Sequence, residues 1–79
     1  MQQKAFELFS TDGCHLCEQA ISMLAALGLE QRVDVVDIVD SPALVEEYGI
    51  RIPVIKNVSS AEELSWPFSN EQLYSFITN

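Results

Sequence analysis

Two thiols stand three positions apart in Cys14-His15-Leu16-Cys17, and nowhere else in this 79-residue chain is reactive chemistry so concentrated. At that spacing the sulfurs can close a disulfide with each other with little backbone movement. The run before them, Ala5-Phe6-Glu7-Leu8-Phe9, reads as a short strand, and Leu16 to Leu27 carries apolar residues at helical spacing. A strand, a tight turn and a Cys-x-x-Cys opening a helix together predict a redox dithiol. The same residues would serve a structural disulfide, half a zinc site, or two inert buried thiols, since free Cys is among the most buried residue types. A structural zinc ion takes four Cys or His ligands. Cys14, Cys17 and His15 are all this chain offers, so a zinc site within one chain is not expected. A site shared between subunits stays open.

Only a thiolate attacks a disulfide, so the question is what would lower the pKa of Cys14. At the start of a helix its sulfur would face unpaired backbone N–H groups and the positive end of the helix dipole. Cys17, within the first turn, can donate its S–H to that thiolate. A protonated His15 would add positive charge beside it, although a plain solvent-facing role fits His15 equally well. Asp12 and Glu18 push the other way, because a nearby carboxylate disfavours a thiolate.

The elements that must position these groups follow from local patterns. Ser10-Thr11-Asp12-Gly13 forms the turn into the pair, and Gly28 is placed to end the first helix. Val33 to Val39 is rich in β-branched residues and reads as a second, central strand, parallel to the first because a helix joins them. Ser41-Pro42 opens a short second helix ending at Tyr48-Gly49. Pro53 to Val58 gives a third strand and Glu63 to Trp66 a fourth, with Asn57 to Glu62 turning between them. Ser69-Asn70-Glu71-Gln72 matches a capping box, opening a last helix with Leu73, Phe76 and Ile77 on one face. Tyr48, Trp66 and Phe68 read as packing residues. The order βαβ followed by αββα predicts an α/β domain with a four-stranded mixed sheet and three helices over residues 1–79.

Composition narrows the function. The chain is 48% hydrophobic with three Gly and three Pro, enough for a single small core. Twelve acidic against four basic residues give a net charge of −8, which repels a phosphate backbone and an anionic membrane surface alike. Nucleic-acid and membrane roles are therefore not expected. Met1-Gln2-Gln3-Lys4 does not resemble a secretory leader, and two cysteines suit a reducing compartment, so the cytoplasm is the expected location.

Element order and motifs together resemble the thioredoxin-fold superfamily, and within it the small glutaredoxin-like proteins. The residues carrying the likeness are Phe9 to Cys17, then Tyr48-Gly49-Ile50-Arg51-Ile52-Pro53-Val54, and the closing Trp66-Pro67-Phe68, which is similar to a bacterial glutaredoxin-like subgroup. The resemblance implies that Cys14 is the exposed attacking thiol and Cys17 the resolving one. It implies a cis Pro53 facing the cysteines, with Ile52 offering its N–H and C=O to a peptide or glutathione backbone. Arg51 would meet a substrate carboxylate, or stay a solvated surface residue. Substrates would be protein disulfides or glutathione, with no tightly bound cofactor, glutathione as a co-substrate, and glutathione or a flavoprotein reductase as electron donor. A monomer is expected. The family also carries an alternative, a metal or iron–sulfur cluster held through Cys14 at a dimer interface. A binding module that kept the fold without the chemistry is a third reading. Two departures stand out: glutaredoxins commonly carry Cys-Pro-Tyr-Cys after a basic residue, and a Gly-Gly then Asp segment where this chain has Trp66-Pro67-Phe68-Ser69-Asn70.

Overall fold

Alternation along the first strand decides how the layers assemble. In the computed structural model, which describes residues 4–79, β1 runs Phe6–Ser10. It is followed by α1 (His15–Ala26), β2 (Val33–Asp37), α2 (Pro42–Tyr48), β3 (Val54–Asn57), β4 (Glu63–Ser65) and α3 (Asn70–Thr78). Phe6 and Leu8 point to one face, packing with Ala20 and Leu24 of α1, Leu73 and Ile77 of α3, and Ile55. Phe9 points to the other, with Ile38, Tyr48 and Val54. The sheet thus lies between α1 and α3 on one side and the shorter α2 on the other. Each fully buried Leu or Ile contributes about 1.5–3 kcal/mol relative to exposure.

The strand order is β2-β1-β3-β4, with β1 and β2 parallel and the other two pairs antiparallel. The Val33–Val39 run is therefore not central but an edge, and it stops at Asp37. Its own residues explain this: Val35 is 53% exposed, and the Asp37 carboxylate accepts the Val39 N–H at 3.0 Å, bending residues 38–40 into a 3-10 turn. Charged side chains are a usual way to blunt an edge strand. The central positions go to β1 and β3, whose Leu8, Val54 and Ile55 are wholly buried.

The helix ends obey the expected chemistry. Gly28 adopts a left-handed φ of 72°, which lets Leu29 N–H reach Leu24 O at 2.9 Å and Gly28 N–H reach Ala25 O at 3.1 Å. Leu24 and Leu29 are both buried, completing a Schellman-type terminator. Ser41 Oγ accepts the Leu44 N–H at 3.3 Å, with Pro42 in the first turn of α2. At α3, Ser69 Oγ accepts Gln72 N–H at 3.1 Å and Gln72 Oε1 accepts Ser69 N–H at 2.8 Å. The β3–β4 turn is organised by Asn57, whose side-chain oxygen accepts the N–H groups of Ser59 and Ser60 at 2.9 and 3.2 Å. Among the described residues no helix is long and apolar enough to cross a membrane. Near the start of β1 an open cleft is lined by Lys4, Phe6, Arg32, Asn57, Ile77 and Asn79, so the first described residue and the last both border it.

Candidate redox site

The turn after β1 delivers Cys14 to the tip of α1. Gly13 takes a left-handed φ of 77°, which only glycine enters without a Cβ penalty, and Cys14 follows in an extended conformation as the residue capping the helix. Cys14 Sγ accepts the backbone N–H of Cys17 at 3.1 Å, filling the role that a Ser or Asp oxygen usually has at this position. The Cys14 carbonyl accepts the Glu18 N–H at 3.0 Å, the first bond of α1. The helix therefore begins at His15, one residue before the Leu16 expected from periodicity, because the sulfur itself supplies the cap. Cys14 and Cys17 are joined as a disulfide, with their Cα atoms 5.2 Å apart. Their exposures differ: Cys14 is half-buried, while Cys17 is 1% exposed. An incoming sulfur can reach only the first.

The charges around the pair are on the surface. Asp12 is exposed in the turn, and His15 Nδ1 lies 3.8 Å from Glu18 Oε1, both side chains largely in solvent. Any positive charge on His15 is thus shared with a carboxylate. The fixed favourable element at the sulfur is the Cys17 amide, together with the start of the helix.

Register brings the proline loop to the same end of the sheet. Phe9 pairs with Val54 and Ser10 with Asp37, so Pro53 enters β3 beside the point where β1 leaves for Cys14. Ser65 pairs with Val54 and Trp66 N–H donates to Pro53 O at 3.2 Å, which places Trp66-Pro67-Phe68 there too. The Ile52–Pro53 and Trp66–Pro67 peptide bonds are both cis. Trp66 packs edge-on to buried Phe68 with ring centres 5.0 Å apart, and both belong to the core side of the sheet. The Ile52 N–H, assigned by resemblance to a substrate backbone, instead donates to Tyr48 O at 3.1 Å. The cause is the exit from α2, where Arg51 N–H also returns to Tyr48 O, at 2.8 Å.

Arg51 likewise has partners of its own. Its guanidinium meets Glu47 Oε2 at 2.9 Å and Glu63 Oε1 at 2.7 Å, and lies over the Tyr48 ring at 5.1 Å. The second Glu63 oxygen accepts the Tyr48 hydroxyl at 2.6 Å, and the Tyr48 ring stacks on Phe9 at 4.3 Å. Burial and the bond to Glu63 push the Tyr48 phenol up to about 12. That bond, with Arg51, holds the Glu63 carboxyl below the usual carboxylate range. Arg51 is therefore a partly exposed side chain whose charge is already paired with two carboxylates. Sequence reading missed Glu47, Glu63 and the polar half of Tyr48. Glu47 to Arg51 is a readable i,i+4 pair. Glu63 gave no signal, since it arrives from β4 across a turn.

Among the described residues no group of three or more His, Cys, Asp or Glu side chains is placed to hold a metal ion. No curated protein matches the chain. Solved structures do. The X-ray structure of the structural-genomics target protein XcR50 from X. campestris is 38% identical, with 91% of this chain and 93% of that chain covered and a TM-score of 0.80. The solution structure of the same target, covering 91% and 90%, gives a TM-score of 0.78. Protein Ne2328 from Nitrosomonas europaea, at 23% identity over 99% of this chain and 95% of that one, shares the fold at a TM-score of 0.75. The family described as Glutaredoxin-like domain (DUF836) matches residues 5–78. On that match, which takes in the dithiol, the proline loop and the last helix, the chain belongs to the glutaredoxin-like family of thioredoxin-fold proteins.

Proposed function

We propose that the protein is a thiol–disulfide oxidoreductase that moves two electrons between its Cys14–Cys17 pair and protein disulfides. The observation that carries this reading is the asymmetric pair at the start of α1: a reachable Cys14 sulfur held by a backbone N–H, bonded to a buried Cys17. In the reduced protein, the Cys14 thiolate attacks one sulfur of the substrate, forming a mixed disulfide and releasing the other as a thiolate that takes up a proton. The Cys17 thiol then loses its proton and attacks the Cys14 sulfur. This breaks the mixed disulfide, releases the second substrate thiol and closes the internal disulfide. Both substrate sulfurs are reduced and the pair is oxidised by two electrons. The Cys17 amide at 3.1 Å favours the Cys14 anion in the first step and as leaving group in the reverse.

Ile52 and Pro53, at the same end of the sheet, form the flank along which an extended substrate would lie. A dithiol or a flavoprotein reductase would return the electrons. Both sulfurs come from one chain, so a monomer suffices, and a reducing compartment such as the cytoplasm would keep the pair ready.

Thiol alkylation and mass spectrometry across a dithiothreitol redox series test this directly. The expected result is a reversible two-electron transition between the glutaredoxin and thioredoxin ranges, about −200 to −270 mV. Cys14→Ser should abolish exchange, and Cys17→Ser should accumulate a mixed disulfide on Cys14. Absence of an internal disulfide at every potential, or equal loss in both variants with nothing trapped, would remove the dithiol mechanism.

A further inference from the structure

An Asp or Asn is followed by glycine once in this chain, at Asp12-Gly13, immediately before the reachable sulfur. The pairing matters because a backbone nitrogen can attack the side-chain carboxyl carbon of the residue before it, closing a five-membered succinimide ring. A Cβ on the attacking residue hinders that closure, and glycine has none. Elsewhere Asp and Asn precede Val35, Ile38, Ser41, Val58 and Glu71. Two of those carboxyl or amide groups are also tied down: Asp37 Oδ1 accepts the Val39 N–H at 3.0 Å, and Asn57 Oδ1 accepts the Ser59 N–H at 2.9 Å. Nothing comparable holds Asp12. It and Gly13 are both exposed, and beyond its chain neighbours no atom stands within 4 Å of where a Gly13 Cβ would be. Among the described residues, neither the Asp12 carboxylate nor the Gly13 N–H has a hydrogen-bond partner. The turn is therefore free to bring the Asp12 side chain against the Gly13 nitrogen without breaking a hydrogen bond.

We propose that Asp12 is a site of isoaspartate formation, and that this modification disables the dithiol. The Gly13 nitrogen bonds to Asp12 Cγ and loses its proton, while one carboxyl oxygen leaves, so the ring closes with loss of one water. Water then re-enters at one of the two ring carbonyls. Opening at the side-chain carbonyl restores aspartate. Opening at the backbone carbonyl routes the chain through Cβ and Cγ and frees the former α-carboxyl. No electrons move, and water is the only co-reactant. The product carries one extra carbon in the backbone, about 1.5 Å of chain at a C–C bond length, inserted between β1 and the Cys14 cap. Cys14 Sγ meets the Cys17 N–H at 3.1 Å because the Gly13 turn delivers it there. Displacing a reacting group by about 1 Å costs on the order of a hundredfold in rate, so the isoaspartyl form exchanges slowly. The modification itself goes beyond the exchange reading, and its effect on rate rests on that reading.

The test incubates the full-length protein at neutral pH in water labelled with heavy oxygen, because each ring opening adds one labelled oxygen. Peptide mapping with electron-transfer fragmentation, and methylation by an isoaspartyl carboxyl methyltransferase, locate and count the product. Label and isoaspartate should accumulate at Asp12 ahead of Asp34, Asp37 and Asp40, and about as fast in the folded protein as in urea, since the fold does not hold the turn. Exchange with a model disulfide should fall in step with the isoaspartyl fraction, that fraction reacting about a hundredfold more slowly. Asp12→Glu keeps the carboxylate but would need a six-membered ring, so it should neither take up label nor lose activity with time. Asp12→Asn, with ammonia as the leaving group, should age faster than the wild type. Labelling in urea but not in the folded protein would overturn the assignment. So would isoaspartate at Asp12 with exchange intact, or an equal loss of activity in aged Asp12→Glu. Failure of the fresh wild-type protein to exchange would instead overturn the exchange reading, while labelling at Asp12 would still be measurable.

Discussion

At the scale of single residues, Tyr48 shows how much a side chain can do beyond filling space. Its ring is core, as its aromatic character suggests, yet its hydroxyl carries a bond to Glu63 at 2.6 Å that no periodicity announces. Removing that bond with Tyr48→Phe should cost about 1 kcal/mol, seen as a drop of roughly 4–8 °C in thermal midpoint for a domain of this size. The pH dependence follows from the two shifts. The phenol is raised from its ordinary 10.0 to about 12, so folding favours its protonated form. That contribution is complete below the unfolded value and is lost as pH climbs from 10.0 to about 12. Glu63 is lowered, first by the Tyr48 bond, so its contribution is present above the ordinary Glu range and is lost as pH falls through the depressed folded value. Denaturant titrations across pH should show both losses in the wild-type protein, whereas Tyr48→Phe should lack the alkaline one and show a weaker acid one. The cysteines were legible at this scale because their spacing is local. Glu63, Tyr48 and Arg51 were not, because their meeting depends on a turn of the chain that brings β4 back beside the end of α2.

At the scale of elements, the termini of helices were the most readable parts of the chain. Ser41-Pro42, Ser69 to Gln72 and Gly28 each act within a few residues of themselves, so their chemistry survives translation into three dimensions. Gly28 makes a clean test, since no atom stands within 4 Å of where a Cβ would be and φ is 72°. Gly28→Ala should therefore destabilise through backbone conformation alone, by about 1 kcal/mol, while Gly28→Asn should lose less because Asn tolerates that conformation. Urea unfolding of the two variants measures the difference, and equal losses would point to packing instead. The place of β2 was misread for the opposite reason. Its β-branched content fits any strand, but whether a strand is central depends on which neighbours flank it, and β3 takes the inner position by pairing Leu8 with Ile55. The exit from α2 was similarly hidden: a carbonyl that receives two N–H groups is a product of how the loop closes, so the donor expected for a substrate was already engaged.

At the scale of the whole molecule, the chain carries a net charge of −8, and two of its four cations, Lys4 and Arg51, meet carboxylates in ion pairs. Mutual repulsion among the remaining acids opposes the folded state and is screened by salt. The thermal midpoint should accordingly rise between low and physiological ionic strength, checked by calorimetry in sodium chloride at neutral pH. A midpoint that falls would mean that the ion pairs around Arg51 outweigh the repulsion. The layered architecture was predictable as a whole because helix and strand periods alternate along the chain, and an α/β order of this kind leaves few ways to cover both faces of a sheet. The cleft shared by Lys4 and Asn79 has a practical side. Four residue steps of β1, about 13 Å at strand rise, separate that cleft from the tip where Cys14 emerges. A linker joined to Asn79 would thus leave from the opposite pole, and the protein could be immobilised on an electrode by it with the sulfur pair turned toward solution, available for direct voltammetry.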